Sequence, residues 1–204
     1  MVRRSARLRE QEAQEAVPEP KKQKTEAKKP AAAKVSEEKK PAEKLETDKV
    51  ESKKTLQEGD ALPDDLELEN QDGKKVAVAQ YAKDAKVLVV FLYPKASTPG
   101  CTRQAIGFRE KAEELIELGA TVVGLSSDSP KAQTSFKTKQ QLPYDLWSDP
   151  SKQLIELLGA KKHPNGIVRS DFIFQDGILK VKRVGISPEK SFNGAIELVK
   201  GLSE

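Results

Sequence analysis

A continuous apolar run, Val87-Leu88-Val89-Val90-Phe91-Leu92-Tyr93, has no polar member, as a strand covered on both faces requires. Thr121-Val122-Val123-Gly124-Leu125-Ser126 reads as a second buried strand. Leu66-Glu67-Leu68-Glu69-Asn70 instead alternates apolar and polar positions, as a half-exposed strand does. Gln71-Asp72-Gly73-Lys74 follows as a hairpin turn, with Asp-Gly supplying the positive φ, and Lys75 to Val78 is the predicted return strand. From Thr102 the period changes. Ala105, Phe108, Ala112, Leu115, Ile116 and Leu118 recur at three- and four-residue intervals and predict one helix ended by Gly119. Ser129-Pro130 opens another helix, with a capping residue and then proline at its first position. Gln153 to Leu158 is a short helix closed by Gly159, and Asp171–Phe174, Asp176-Gly177 and Ile178–Val184 form a second Asp-Gly hairpin. Ser187-Pro188 caps a final helix running to about Leu202.

The predicted order is hairpin, strand, helix, strand, helix, short helix, hairpin, helix. Strands that alternate with helices and then end in a hairpin imply an α/β fold, a mixed central sheet flanked by helices in a thioredoxin-like arrangement.

Composition divides the chain. Residues 1–54 carry 16 Lys/Arg and 11 Asp/Glu, a net charge of +5, whereas the remaining 20 basic and 21 acidic groups leave residues 55–204 at −1. All ten aromatic residues lie after residue 80. A segment that is half charged and lacks aromatics and Ile cannot bury enough apolar surface to offset the entropy of ordering. The expectation is a disordered tail over 1–54 ahead of one domain over 55–204. Within the tail, Arg3 to Arg9 and Lys21-Lys22-Gln23-Lys24 are short basic clusters of the type that import receptors read. Nuclear localisation, with some protein also in the cytoplasm, is therefore expected. Weak salt-dependent contact with DNA phosphates is a second reading of the same clusters, opposed by the interspersed acids. No run approaches the ~18 apolar residues of a membrane span, so a soluble intracellular protein without membrane contact is expected.

One Cys and one His limit the chemistry. A single Cys excludes an intrachain disulfide, a zinc ribbon, a Cys-x-x-Cys pair and an iron–sulfur cluster on ligand count. An enzyme built from this inventory works with a cysteine, carboxylates, Lys/Arg or hydroxyls. The one cysteine sits well for it. Pro94-Lys95-Ala96-Ser97-Thr98-Pro99-Gly100-Cys101-Thr102 joins the most apolar strand to the first long helix and places Cys101 in that helix's first turn. Unpaired backbone N–H groups and the positive end of the helix dipole favour a thiolate there. Thr98 can aim its hydroxyl into the same pocket, and Pro94 and Pro99 stiffen the loop. His163 beside Pro164 reads as a solvent-exposed loop residue, and Tyr144 and Trp147 as packing residues.

Pro94, Thr98 and Cys101 form the Pro-x-x-x-Thr-x-x-Cys signature of the peroxiredoxins. The fuller string, Tyr93-Pro94-Lys95 through Thr98-Pro99-Gly100-Cys101-Thr102 to Gly107-Phe108-Arg109, resembles the peroxiredoxin Q / bacterioferritin-comigratory branch. The likeness runs from about Gly59 to the C-terminus and includes Ser127-Asp128-Ser129 and Arg169. With its Lys-rich extension the whole chain is similar to a fungal nuclear thiol peroxidase.

The resemblance implies that Cys101 is the peroxidatic nucleophile and that Thr98 hydrogen-bonds the peroxide. It further implies that Arg169 stabilises the thiolate and the leaving oxygen, and that Pro94 shields the oxidised sulfur. No metal or organic cofactor is implied; the partners are hydrogen peroxide or an alkyl hydroperoxide and an external thiol of thioredoxin or glutathione type. A monomer is expected. One position departs from the branch. The resolving cysteine commonly found five residues after the nucleophile is replaced by Ile106, so a one-cysteine cycle with external reduction follows. The rival reading is a nuclear peroxide sensor or chromatin-associated binding protein with little turnover.

Overall fold

A computed structural model of the protein describes residues 55–164 and 166–203. The readings made on residues 1–54 lie outside the described residues.

Among the described residues, nine strands and six helices follow one another from β1 (Glu67–Asn70), β2 (Lys75–Ala77), α1 (Val78–Asp84) and β3 (Val87–Leu92) to α2 (Pro99–Glu110) and α3 (Ala112–Glu117). Then come β4 (Ala120–Ser126), α4 (Pro130–Gln140), β5 (Asp145–Ser148), α5 (Gln153–Leu157), β6 (Lys161–Lys162) and β7 (Gly166–Ile167). The last elements are β8 (Ser170–Gln175), β9 (Ile178–Val184) and α6 (Pro188–Ser203). Seven strands form one sheet in the order β2-β1-β5-β4-β3-β8-β9; β6 and β7 pair separately. β3 runs parallel to β4 and β4 to β5, whereas β8, β9, β1 and β2 join antiparallel. The sheet is therefore mixed, with helices on both faces, and the fold is thioredoxin-like.

β3 lies inside the sheet, and every one of its residues is buried. Its side chains alternate between two cores. Leu88, Val90 and Leu92 join Val78, Ala82, Leu154 and Ile155 on one face. Val87, Val89, Phe91 and the following Tyr93 join Cys101, Ala105, Phe108 and Ala195 on the other. Burying each of the large side chains stabilises the fold by about 1.5–3 kcal/mol, which is why an unbroken apolar run suits this position and no exposed one.

Four differences from the sequence reading stand out. The predicted single helix breaks at Lys111, whose backbone (φ −102°, ψ 1°) leaves the helical region and starts α3 afresh. Ala112 and Leu115 are the buried residues of α3. The return strand of the first hairpin ends at Ala77, and Val78 begins α1, a helix the pattern did not predict. β5 was also not predicted, although it lies between β4 and β1. Ser129 does stand at the N-terminal cap of α4, ahead of Pro130, but its side chain makes no capping bond. The Asp176-Gly177 turn forms as expected, with φ of 52° and 79° joining β8 to β9. Trp147 and Tyr144 are packing residues, 0% and 8% exposed, and His163 is exposed.

Candidate active site

Cys101 lies in the first turn of α2, after Thr98 at the cap position and Pro99 and Gly100. Proline at the helix start loses no hydrogen bond, because the first N–H groups have no partner within the helix. The sulfur is nearly enclosed, with Cys101 only 1% exposed. Arg169, in the loop between β7 and β8, reaches it: Arg169 Nη2 lies 3.4 Å from Cys101 Sγ. Gly100 makes room for that approach, since a Cβ there would stand 3.0 Å from Nη2. The Arg169 backbone is anchored as well, its carbonyl accepting from the N–H groups of Gly185 (2.9 Å) and Ile186 (3.1 Å) beyond β9. Sequence positions 68 apart thus meet because β8 lies directly beside β3 in the sheet.

Thr98 and Pro94 occupy the same loop, both half-buried. The Thr98 hydroxyl donates to the Lys95 carbonyl at 2.9 Å and makes no bond to the helix it precedes. With its proton engaged, that oxygen offers lone pairs rather than a hydrogen. Pro94 follows directly on the end of β3 and starts the loop. The loop is held from below by Asp128, whose Oδ2 accepts from Ala96 N at 2.7 Å and from Ser126 Oγ at 2.9 Å. Gln133 in α4 continues this network, donating through Nε2 to Ser126 Oγ (2.9 Å) and the Trp147 carbonyl (3.0 Å). The Tyr93 hydroxyl donates to Gln133 Oε1, and burial pushes its ionisation well up, keeping it a neutral donor.

Residues that the sequence did not single out complete the surroundings of Arg169. Gln104, fully buried, accepts from Arg169 Nη1 at 2.5 Å and donates through Nε2 to Ser191 Oγ at 2.9 Å. Asp171 is fully buried under Arg183, which donates to it through Nε at 2.7 Å and through Nη2. Burial pushes the Asp171 carboxyl above its ordinary range, while the bonds from Arg183 and Ser191 pull it back. Gln104 did carry one signal, a polar side chain beside Ala105 on the buried face of a helix. Ile106, five residues after Cys101, is half-buried on the same helix.

The family model that matches the chain is the AhpC/TSA family, over residues 59–182. Peroxiredoxin bcp1 of Schizosaccharomyces pombe is 44% identical over 148 residues, covering 71% of this chain and 75% of that protein. Peroxiredoxin Bcp of Bacillus subtilis is 33% identical over 158 residues, 74% of this chain and 99% of that one. Among solved structures, the bacterioferritin comigratory protein of Xanthomonas campestris superposes with a TM-score of 0.66 at 27% identity, over 71% of this chain and all (100%) of that chain. BcpB of Mycobacterium tuberculosis gives a TM-score of 0.67 at 27% identity, over 72% and 98% respectively. A lone cysteine in a helix's first turn under an arginine, on this sheet and with these relatives, has one family reading: the chain belongs to the AhpC/TSA family of thiol peroxidases, in its peroxiredoxin Q / bacterioferritin-comigratory branch.

Proposed function

We propose that the protein reduces hydrogen peroxide and alkyl hydroperoxides with Cys101 alone and returns to the thiol at the expense of an external thiol. The observation that carries this reading is the 3.4 Å approach of Arg169 Nη2 to Sγ of the chain's single cysteine. The Cys101 thiolate attacks the terminal peroxide oxygen; an S–O bond forms, the O–O bond breaks, and the departing alkoxide or hydroxide takes a proton and leaves as alcohol or water. Sulfur is oxidised to a sulfenic acid and the peroxide is reduced. Arg169 is a fixed donor beside both the sulfur and the oxygen on which charge develops. Thr98, whose proton is engaged by Lys95, accepts from the peroxide hydroxyl and orients it. Pro94 screens the oxidised sulfur from further attack. The alkyl peroxide reduction activity of the Xanthomonas campestris relative supports the alkyl hydroperoxide as a substrate class.

With no second cysteine, one external thiol attacks the sulfenic acid, releasing water and leaving a mixed disulfide. A second thiol then displaces Cys101 as the free thiol, and the two external sulfurs end as a disulfide. Thioredoxin-type and glutathione-type thiols both supply this chemistry. The burial of Cys101 at 1% exposure favours a second reading, a peroxide sensor in which thiol access, and hence turnover, is slow. Nuclear import through residues 1–54 is supported by the basic clusters alone.

Stopped-flow mixing with peroxide, followed by steady-state turnover under added thiol, tests the set. Cys101→Ser is expected to abolish peroxide consumption with the fold intact, and full activity in that variant would end the proposal. Fast oxidation without turnover would select the sensor. Deleting residues 1–54 is expected to abolish nuclear accumulation and leave peroxide reactivity unchanged; unaltered localisation would reject the import reading.

A further inference from the structure

Arg169 carries only hydrogen-bond donors. A file of buried side chains holds it in place. Arg169 Nη1 donates to Gln104 Oε1 at 2.5 Å, and Gln104 Nε2 donates to Ser191 Oγ at 2.9 Å. Gln104 and Ser191 are each 0% exposed, so water does not substitute for a lost partner without cost.

The direction of this file is set at the guanidinium. Arg169 only donates, so the amide turns Oε1 toward it and offers Nε2 to Ser191, whose hydroxyl oxygen accepts. A flipped amide would set N–H against the guanidinium.

Ser191 is itself fixed from behind. Its backbone carbonyl accepts from Arg183 Nη2 at 3.2 Å, and the same Arg183 pairs with Asp171. On the next turn of α2, Gly107 admits the ring of Phe192; a Cβ there would stand 2.1 Å from Phe192 Cδ1. Close packing therefore holds the start of α6 against α2 at the level of the hydrogen bond.

We infer that Ser191 is a positioning residue for the peroxide step: anchored by Arg183, it orients the Gln104 amide and thereby holds the Arg169 guanidinium against the Cys101 sulfur. This rests on the reading of Cys101 and Arg169 as the reacting pair. A guanidinium released from Gln104 keeps its charge but loses the fixed direction that makes a donor effective in a transition state.

The test is the second-order rate of peroxide consumption by the full chain, measured for the parent, Ser191→Ala, Ser191→Thr, Arg169→Ala and the double variant. Ser191→Ala is expected to slow the reaction about tenfold, and Ser191→Thr, which keeps the hydroxyl, to recover most of the loss. In the Arg169→Ala background, Ser191→Ala is expected to make no further difference, because its effect passes through the residue already removed. The inference is overturned by Ser191→Ala at the parent rate, or by an equal slowing in both backgrounds. Arg169→Ala at the parent rate would instead overturn the reading of the reacting pair. If Ser191→Ala does not fold, Gln104→Met breaks the same link from α2 and carries the same comparison.

Discussion

Two buried polar networks flank the segment that bears Cys101, and they differ in where they end. The first runs from Tyr93 through Gln133 and Ser126 to Asp128 and ends on backbone groups, the Trp147 carbonyl and the Ala96 N–H. The second runs from Ser191 through Gln104 to Arg169 and ends on the Cys101 sulfur. Both are built from the same ordinary groups, and both carry the desolvation cost of buried polar atoms. A network closed on backbone shapes a loop. One that ends on a reactive atom also sets the field in which that atom works, so burial alone does not separate structural from functional polar residues.

The sharpest way to break the comparison is to cut the open network at its end. Arg169→Ala is expected to lower the peroxide rate by about 10²–10³-fold, the loss typical of one fixed donor to a developing oxyanion, and to cost about 1–3 kcal/mol of unfolding free energy, since the buried Gln104 Oε1 loses its donor. Stopped-flow kinetics and urea unfolding on the same preparation check both halves. A large stability loss with an unchanged rate would place Arg169 in the closed class.

The closed network should lose stability with a smaller loss of rate. Asp128→Ala leaves the Ala96 N–H and the Ser126 hydroxyl without their acceptor, and a loss of about 1–3 kcal/mol in unfolding free energy is expected. Its peroxide rate should fall by less than that of Arg169→Ala. The opposite ranking would show that the loop, rather than the guanidinium, limits the reaction.

Thr98 lies between the two classes, since its hydroxyl ties back to Lys95 within the loop that leads to Cys101. Thr98→Val removes the hydroxyl at nearly constant shape and is expected to slow the peroxide step by about tenfold, one hydrogen bond's worth. Thr98→Ser keeps the oxygen and should stay near the parent rate. If both variants react equally, the hydroxyl takes no part.

How much of this was legible beforehand depends on whether the cause was local. β3 announced itself because both of its faces are covered, which demands an unbroken apolar run. The Asp176-Gly177 turn did so because positive φ at two successive positions needs those residue types. The setting of Cys101 followed from the order strand, proline-rich loop, helix. β5 gave no such sign. Its four residues, Asp145–Ser148, are a strand only because β4 and β1 pair with them on either side. α1 follows Ala77 without a side-chain cap or an acidic first turn, so no start signal was present to read. At the site, Arg169 came from family resemblance. Ser191 lies 87 positions from Gln104, and nothing in the local pattern of α6 marks it.

The smallest expected effect lies on the surface of the same two helices that Gln104 and Ser191 join in the interior. Arg103 in α2 pairs with Glu189 in α6 at 3.1 Å, with both side chains largely exposed. A backbone hydrogen bond at the helix start, and then the bond from Arg103, hold the Glu189 carboxyl below its ordinary 4.5. With the native value lowered, the unfolded chain takes up the proton first as pH falls. The stabilisation is therefore complete above pH 4.5 and is lost as pH drops through the native value. Glu189→Gln should flatten that acid limb slightly at low ionic strength and less so in about 1 M salt, where a screening length of roughly 3 Å weakens the Arg103 contribution but not the backbone hydrogen bond. Its peroxide rate should equal the parent's, since solvent takes over the lost contact at the surface as it does not at Ser191. Urea unfolding between pH 3 and 6, alongside peroxide kinetics, decides it. A rate loss comparable to that of Ser191→Ala would mean that the docking of α6, and not the direction of the buried hydrogen bonds, controls Arg169.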